Sequence, residues 1–140
     1  IVMYLTIHCR NLESQDVDGQ AISEAAAKQS KRAVVPQVHS VMSFAQALAY
    51  ADMLDVRLIP YEMAEDMAKT RSLIEEIRPG QSIGIFIGPE GGFASEEIEQ
   101  AMAHATQPIT LGKRILRTET AGMTVLSILM YTLEGQELKA

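Results

Sequence analysis

Five consecutive residues, Gly88, Pro89, Glu90, Gly91 and Gly92, follow directly on the apolar run Ile85-Phe86-Ile87. Glycine lets a backbone turn sharply and brings its N–H and C=O groups close to a bound molecule, and Pro89 stiffens such a turn. Glu90 is the single acid among these glycines. A second stretch, LGKRILRTETA at 111–121, repeats the plan of strand, glycine turn and helix start. Its turn is Leu111-Gly112, and Lys113, Arg114 and Arg117 fall within five positions. Two such turns facing one pocket would hold a ligand largely through backbone groups, with an acid and a local basic cluster beside it. One glycine turn alone would be an ordinary strand-to-helix loop, and it is the pair that points to a ligand site.

The rest of the sequence narrows the chemistry. Neither stretch matches G-x-x-x-x-G-K-[ST] or G-x-G-x-x-G, which disfavours the two common phosphate cradles and a Rossmann-type enzyme. His8, His39 and His104 are scattered without ligand spacing, and Cys9 is the only cysteine, so neither a metal centre nor an intrachain disulfide is expected. Ser82 and Ser95 have no triad-like context, and G-x-S-x-G is absent, which argues against an acyl hydrolase. The net charge of −6 disfavours a domain that grips nucleic acid across a whole face, but leaves room for the local site at Lys113, Arg114 and Arg117. Glu62, Glu65 and Asp66 read as a solvated helix face, and the eight methionines as core gap-fillers.

A chain of 140 residues with 47% apolar content suits one domain with a real core. No apolar run approaches the roughly 20 residues of a membrane span. With a single cysteine, the reading is a soluble, cytoplasmic protein. The first residue is Ile1, and the opening strand has no lead-in, so a missing upstream portion is expected.

Periodicity predicts strands at 2–8, 56–61, 82–88 and 108–112. Helices are predicted at 20–31, at 43–50 with Ser43 as N-cap, at 63–78, after Ser95 as N-cap with Glu96 and Glu97 in the first turn, and at about 120–133. Alternating strands and helices imply an α/β fold, a mostly parallel sheet with helices on both faces. Such sheets bind ligands beyond the carboxyl ends of their strands, which is where both glycine turns fall.

IGPEGGF, followed about twenty residues later by LGKRILRTETA and an apolar terminal helix, closely resembles the ribosomal small-subunit methyltransferase E family of the SPOUT class. EAAAKQSKRAVVPQV at 24–38 resembles that family's segment before a Val-Pro step, so the likeness covers about residues 20–135. The resemblance implies a C-terminal deep trefoil knot, a rare exception to ordinary connection rules. It also implies a homodimer, S-adenosylmethionine as methyl donor with no metal, and transfer to N3 of a uridine in 16S ribosomal RNA of the small subunit. The donor would be held by Gly88, Pro89, Glu90, Gly91 and Gly92, by Leu111 and Gly112, and by Ile115, Leu116 and Arg117.

A uridine N3–H is a weak acid, so transfer to nitrogen requires removal of its proton or stabilisation of its anion. Arg117 or Arg114 would stabilise charge on the uracil oxygens, and Glu90 or Glu119 would accept the proton or orient a water. The same side chains have structural alternatives. Arg114 would contact RNA phosphate, Arg117 would pair with a carboxylate, and Glu119 would serve as a first-turn helix acid. A catalytically inactive knot-fold module for ligand binding or dimerisation is the alternative to an enzyme. The sequence departs from the family in lacking a visible N-terminal β-rich RNA-binding domain and first strand-helix unit, in having Lys113 where proline is common, and in placing Gly122 early in the last helix. The 140-residue chain is therefore expected to bind the donor yet methylate RNA weakly. A β-branched residue at Gly91 or Gly112 is expected to abolish donor binding.

Overall fold

A computed structural model of the chain describes the backbone of residues 2–7 and residues 18–137 in full. In chain order the elements are β1 (Val2–Ile7), α1 (Gly19–Gln29), α2 (Phe44–Ala51), β2 (Val56–Pro60), α3 (Met67–Glu76), β3 (Ser82–Ile87), α4 (Ser95–Ala103), β4 (Gln107–Ile109) and α5 (Thr118–Glu137). His8 and Cys9 lie outside the described residues.

Two compact units are distinguished. The larger contains β1 and everything from α2 onward. Its strands form one sheet in the order β1-β3-β2-β4, and every pairing is parallel. The parallel ladder follows from β3, whose residues after Ser82 are all buried, as expected for a strand covered on both faces. Ile83, Ile85 and Ile87 join Ile74 and Ile77 around α3 and Val125, Leu129 and Leu133 of α5 in one core. On the other face Phe86 meets Phe44 of α2 edge-on, with ring centroids 6.0 Å apart. Buried Leu48, Ile98 and Ala101 continue that layer on α2 and α4. Pro108 sits on the edge strand β4, where a missing N–H costs no ladder bond.

The smaller unit is α1 with the segment that follows it. Asp18 caps the helix by accepting the Ala21 N–H at 3.1 Å. The returning chain is tied to the helix by Val38 N–H to Gln20 Oε1 at 2.8 Å and by the Ser23 hydroxyl to the Pro36 carbonyl at 2.6 Å.

Several boundaries differ from the sequence expectation for local reasons. The helix expected at 63–78 begins only at Met67, because the Asp66 carboxylate accepts the Lys69 N–H at 2.8 Å and makes Asp66 the cap. Residues 61–65 thus form a loop, and Glu62 and Glu65 are not on a helix face. Ser95 is the first helical residue rather than the cap. That position belongs to Ala94, whose N–H is held by the Glu97 carboxylate at 2.8 Å. β4 ends at Ile109 because the next N–H, of Thr110, leaves the ladder for the Thr70 hydroxyl at 3.0 Å. α5 starts two residues early, at Thr118, and runs for 20 residues. Met53, Met63, Met67, Met102 and Met123 are exposed, so these methionines are not core fillers. Among the described residues no helix is long and apolar enough to cross a membrane.

Candidate functional site

Because the sheet is parallel, β2, β3 and β4 all end at the same edge, and their following loops meet there. They enclose a cleft of about 1120 Å³. Its walls are the loop after β2, from Pro60 to Met67, the glycine turn after β3, and the segment 110–119 that leads into α5. The two stretches singled out in the sequence therefore face one space.

The first turn is anchored from below. Phe93 is buried, packs against Phe44 with ring centroids 5.6 Å apart, and lies so close under Gly88 that a Cβ there would be 3.1 Å from its ring. Gly92 N–H closes back on the Pro89 carbonyl at 2.8 Å, and Gly92 has φ +69°, a conformation that side chains disfavour. The Thr118 hydroxyl donates to the Gly88 carbonyl at 3.1 Å, so the first residue of α5 ties the second stretch to the first.

A relay of threonines holds the second turn. Thr70 of α3 accepts the Thr110 N–H, both residues being buried, and the Thr110 hydroxyl accepts the Gly112 N–H at 3.2 Å. Gly112 has φ +103°, and its missing side chain faces the Met67 methyl at 4.0 Å. Thr70 and Thr110 carry no motif, and sequence reasoning missed both. Thr110 is a hydroxyl between apolar Ile109 and Leu111, whereas Thr70, between Lys69 and Arg71, carries no sequence signal.

Most of the predicted residues line the cleft: Gly88, Pro89, Glu90, Gly92, Leu111, Gly112, Arg114, Ile115, Leu116, Arg117 and Glu119. Gly91 does not line it, its φ is not positive, and a Cβ there meets nothing within 4 Å. Lys113 joins the lining, and so do Glu62 and Glu65, which the sequence reading had assigned to a solvated helix face. Among the described residues, the side chains of Glu62, Glu90, Lys113, Arg114, Arg117 and Glu119 make no hydrogen bond or ion pair. Charges left unpartnered at the mouth of a cleft are available to a ligand, whereas some surface charges elsewhere in the molecule are used internally. His104, for example, binds both oxygens of Asp52 at 2.9 and 3.0 Å. No group of three or more His, Cys, Asp or Glu side chains is placed to hold a metal ion among the described residues.

Comparison with known proteins agrees with this architecture. Residues 5–130 match the family model described as an RNA methyltransferase domain. Ribosomal RNA small subunit methyltransferase E of Bacillus subtilis is 35% identical over 116 residues, covering 81% of this chain and 45% of that protein. Its counterpart in Mesomycoplasma hyopneumoniae is 39% identical over 102 residues, covering 73% of this chain and 42% of that protein. The chain thus spans less than half the length of these curated relatives. Among solved structures, the ribosomal RNA small subunit methyltransferase E from Neisseria gonorrhoeae bound to S-adenosyl methionine superposes with a TM-score of 0.68 at 33% identity, covering 81% of this chain and 46% of that one. The putative methyltransferase from Legionella pneumophila in complex with the same cofactor gives a TM-score of 0.73 at 25% identity, covering 94% of this chain and 55% of that one. With nearly its whole described length matched in this way, the chain belongs to the RNA methyltransferase family that includes the ribosomal small-subunit methyltransferase E proteins.

Proposed function

We propose that this chain forms the methyl-transfer part of an S-adenosylmethionine-dependent enzyme acting on ribosomal RNA of the small subunit, with N3 of a uridine in 16S RNA as the accepting atom. One observation carries the reading: two glycine turns and Arg114 and Arg117, unpaired among the described residues, converge on one cleft at the carboxyl edge of a parallel sheet. The residues fit such a donor. The cleft, at about 1120 Å³, is slightly larger than the roughly 300–1,000 Å³ common for small-molecule sites. Gly92 and Gly112 hold positive-φ backbone conformations with no Cβ to intrude on a nucleobase edge, their own N–H groups being spent on the Pro89 carbonyl and the Thr110 hydroxyl.

When bound, the donor supplies an electrophilic methyl group on a sulfonium, so the chain's residues are left with positioning and charge. Leu111, Gly112, Ile115 and Leu116 form one wall of the donor space, and Gly88, Pro89 and Gly92 the other. Arg117 or Arg114 stabilises negative charge on the uracil oxygens as N3 loses its proton, and Glu90 or Glu119 takes that proton or orients a water. Gly91, off the cleft, contributes to the turn rather than to contact.

We also propose the trefoil threading and the homodimer. The Thr118 bond to Gly88 and the packing of α5 on β3 support a C-terminal segment drawn back through the loop region. Met123, Ile128 and Tyr131 are exposed along α5, which supports that helix as the self-association face. A monomer mass in light scattering at high concentration would overturn the dimer. A cytoplasmic location follows from the proposed RNA target.

The test of function is a single-turnover assay with small ribosomal subunits or 16S RNA and isotopically labelled donor, followed by mass analysis of the nucleosides. N3-methyluridine is expected. Methylation of another atom would overturn the acceptor assignment, and donor binding without any transfer would favour the inactive-module alternative.

A further inference from the structure

Glu62 stands two residues beyond β2, exposed, and makes no hydrogen bond or ion pair among the described residues. Its Oε1 lies 4.0 Å from the point that a Cβ on Gly92 would occupy. The carboxylate therefore hangs over the one residue of the 88–92 turn with positive φ, and the gap beneath it stays open because position 92 carries no side chain. The cleft's cations, Lys113, Arg114 and Arg117, come from a different segment, the one after β4.

An ionised carboxylate only accepts hydrogen bonds, so what it meets in the cleft must donate them. RNA phosphate is excluded on charge. Backbone groups of the two glycine turns can read an adenine edge, but the sugar of the same nucleoside brings two adjacent hydroxyls, and a hydroxyl sequestered without an acceptor carries a desolvation penalty. A carboxylate can accept both O–H groups at once. Acidic side chains recognise ribose in this way in other parallel α/β sheets, also beyond the carboxyl ends of strands.

We propose that Glu62 is a donor-recognition residue whose carboxylate accepts hydrogen bonds from the ribose cis-diol of the methyl donor. The assignment rests on the reading that this cleft binds S-adenosylmethionine.

Isothermal calorimetry on wild type, Glu62→Gln, Glu62→Ala and the exposed α4 control Glu99→Gln tests it, with three ligands: S-adenosylmethionine, S-adenosylhomocysteine and the 2′-deoxyribosyl form of the latter. Both Glu62 variants should lose about tenfold or more in affinity for the first two ligands alike. Glu99→Gln should lose nothing, and for the 2′-deoxy ligand, which keeps one of the two hydroxyls, the loss from wild type to Glu62→Ala should be clearly smaller than for the ribosyl ligands. Equal losses on the ribosyl and deoxyribosyl ligands would overturn the diol contact. A loss confined to S-adenosylmethionine would move Glu62 to the sulfonium charge and overturn it too, as would unchanged affinity throughout. Wild type that binds none of the three would remove the donor reading itself, a result distinct from the other failures.

Discussion

The two ends of the parallel sheet are built from the same strands and are treated in opposite ways. At the amino end, side chains close the structure on itself. The Asp55 carboxylate accepts both the N–H and the hydroxyl of Ser82 at 2.7 Å, and the Ser82 hydroxyl accepts the Asp55 N–H at 3.0 Å, so the starts of β2 and β3 are clamped together. Arg57 donates to the carbonyls of Leu54 at 2.7 Å and Ala51 at 3.3 Å, satisfying the end of α2. Gln136 of α5 reaches the Ile77 carbonyl at 3.0 Å. At the carboxyl end, the struts Thr70–Thr110–Gly112 and Thr118–Gly88 fix the backbone, but among the described residues Arg114, Arg117, Glu62, Glu90 and Glu119 are left without side-chain partners. Polar groups bonded across the chain fasten the amino end, although Arg57 Nε and Gln136 Oε1 are buried there without a partner, and a tied backbone with unspent charges makes the carboxyl end receptive.

The comparison can be broken most sharply at Gly112. With φ +103°, a valine there strains the backbone and intrudes on the cleft, so Gly112→Val should reduce donor affinity by more than about a hundredfold while the chain remains folded, as read by calorimetry and circular dichroism. The structure separates this position from Gly91, where φ is not positive and a Cβ meets open space. Gly91→Val should change donor affinity less than about threefold, whereas the motif alone leads one to expect a loss of binding at both glycines.

Arg117→Ala comes next in size. Single-turnover methyl transfer should fall roughly a hundredfold or more while donor affinity stays within about threefold, because a charge that meets uracil only as its anion forms acts on the transition state. An unchanged rate would remove Arg117 from the chemistry and leave Arg114 as the candidate.

Thr70→Val tests whether the carboxyl end is held by its relay. The substitution keeps volume but strands the buried Thr110 N–H, a cost of about 1–3 kcal/mol in denaturant unfolding. Donor affinity should weaken, and Thr70→Ser should restore most of both.

Asp55→Asn sharpens the contrast from the other end and should have the smallest effect. Hydrogen bonds from Ser82 hold the Asp55 carboxyl below its ordinary range. A depressed folded-state value means that its contribution is fully present above the unfolded value of about 3.9 and is lost as pH falls through the lower, folded value. Wild type should therefore show a loss of stability in that acid window that the asparagine variant lacks, with donor affinity at neutral pH the same in both.

Sequence and structure agree best where a residue's own geometry decides its place. Glycines beside an apolar run mark a turn after a strand, and the four strands lay close to where periodicity put them. What stayed hidden depended on partners distant in sequence. The end of β4 is set by a hydroxyl on α3 forty positions earlier in the chain. Likewise, Glu62 and Glu65 looked like a helix face until Asp66 proved to be the cap, which leaves them in a loop at the cleft. Gly91 and Gly92 are neighbours of one type, yet only the second needs to be glycine by its φ, a difference that residue type alone cannot carry.

The central claim is that the carboxyl end of the sheet is a methyl-donor site. Calorimetric titration of the wild-type chain and Gly112→Val with S-adenosylmethionine tests it most directly. The account predicts one donor bound per chain in the micromolar range, with no detectable binding in the variant. A wild-type chain that takes up no donor, or a variant that binds it equally well, would contradict the claim.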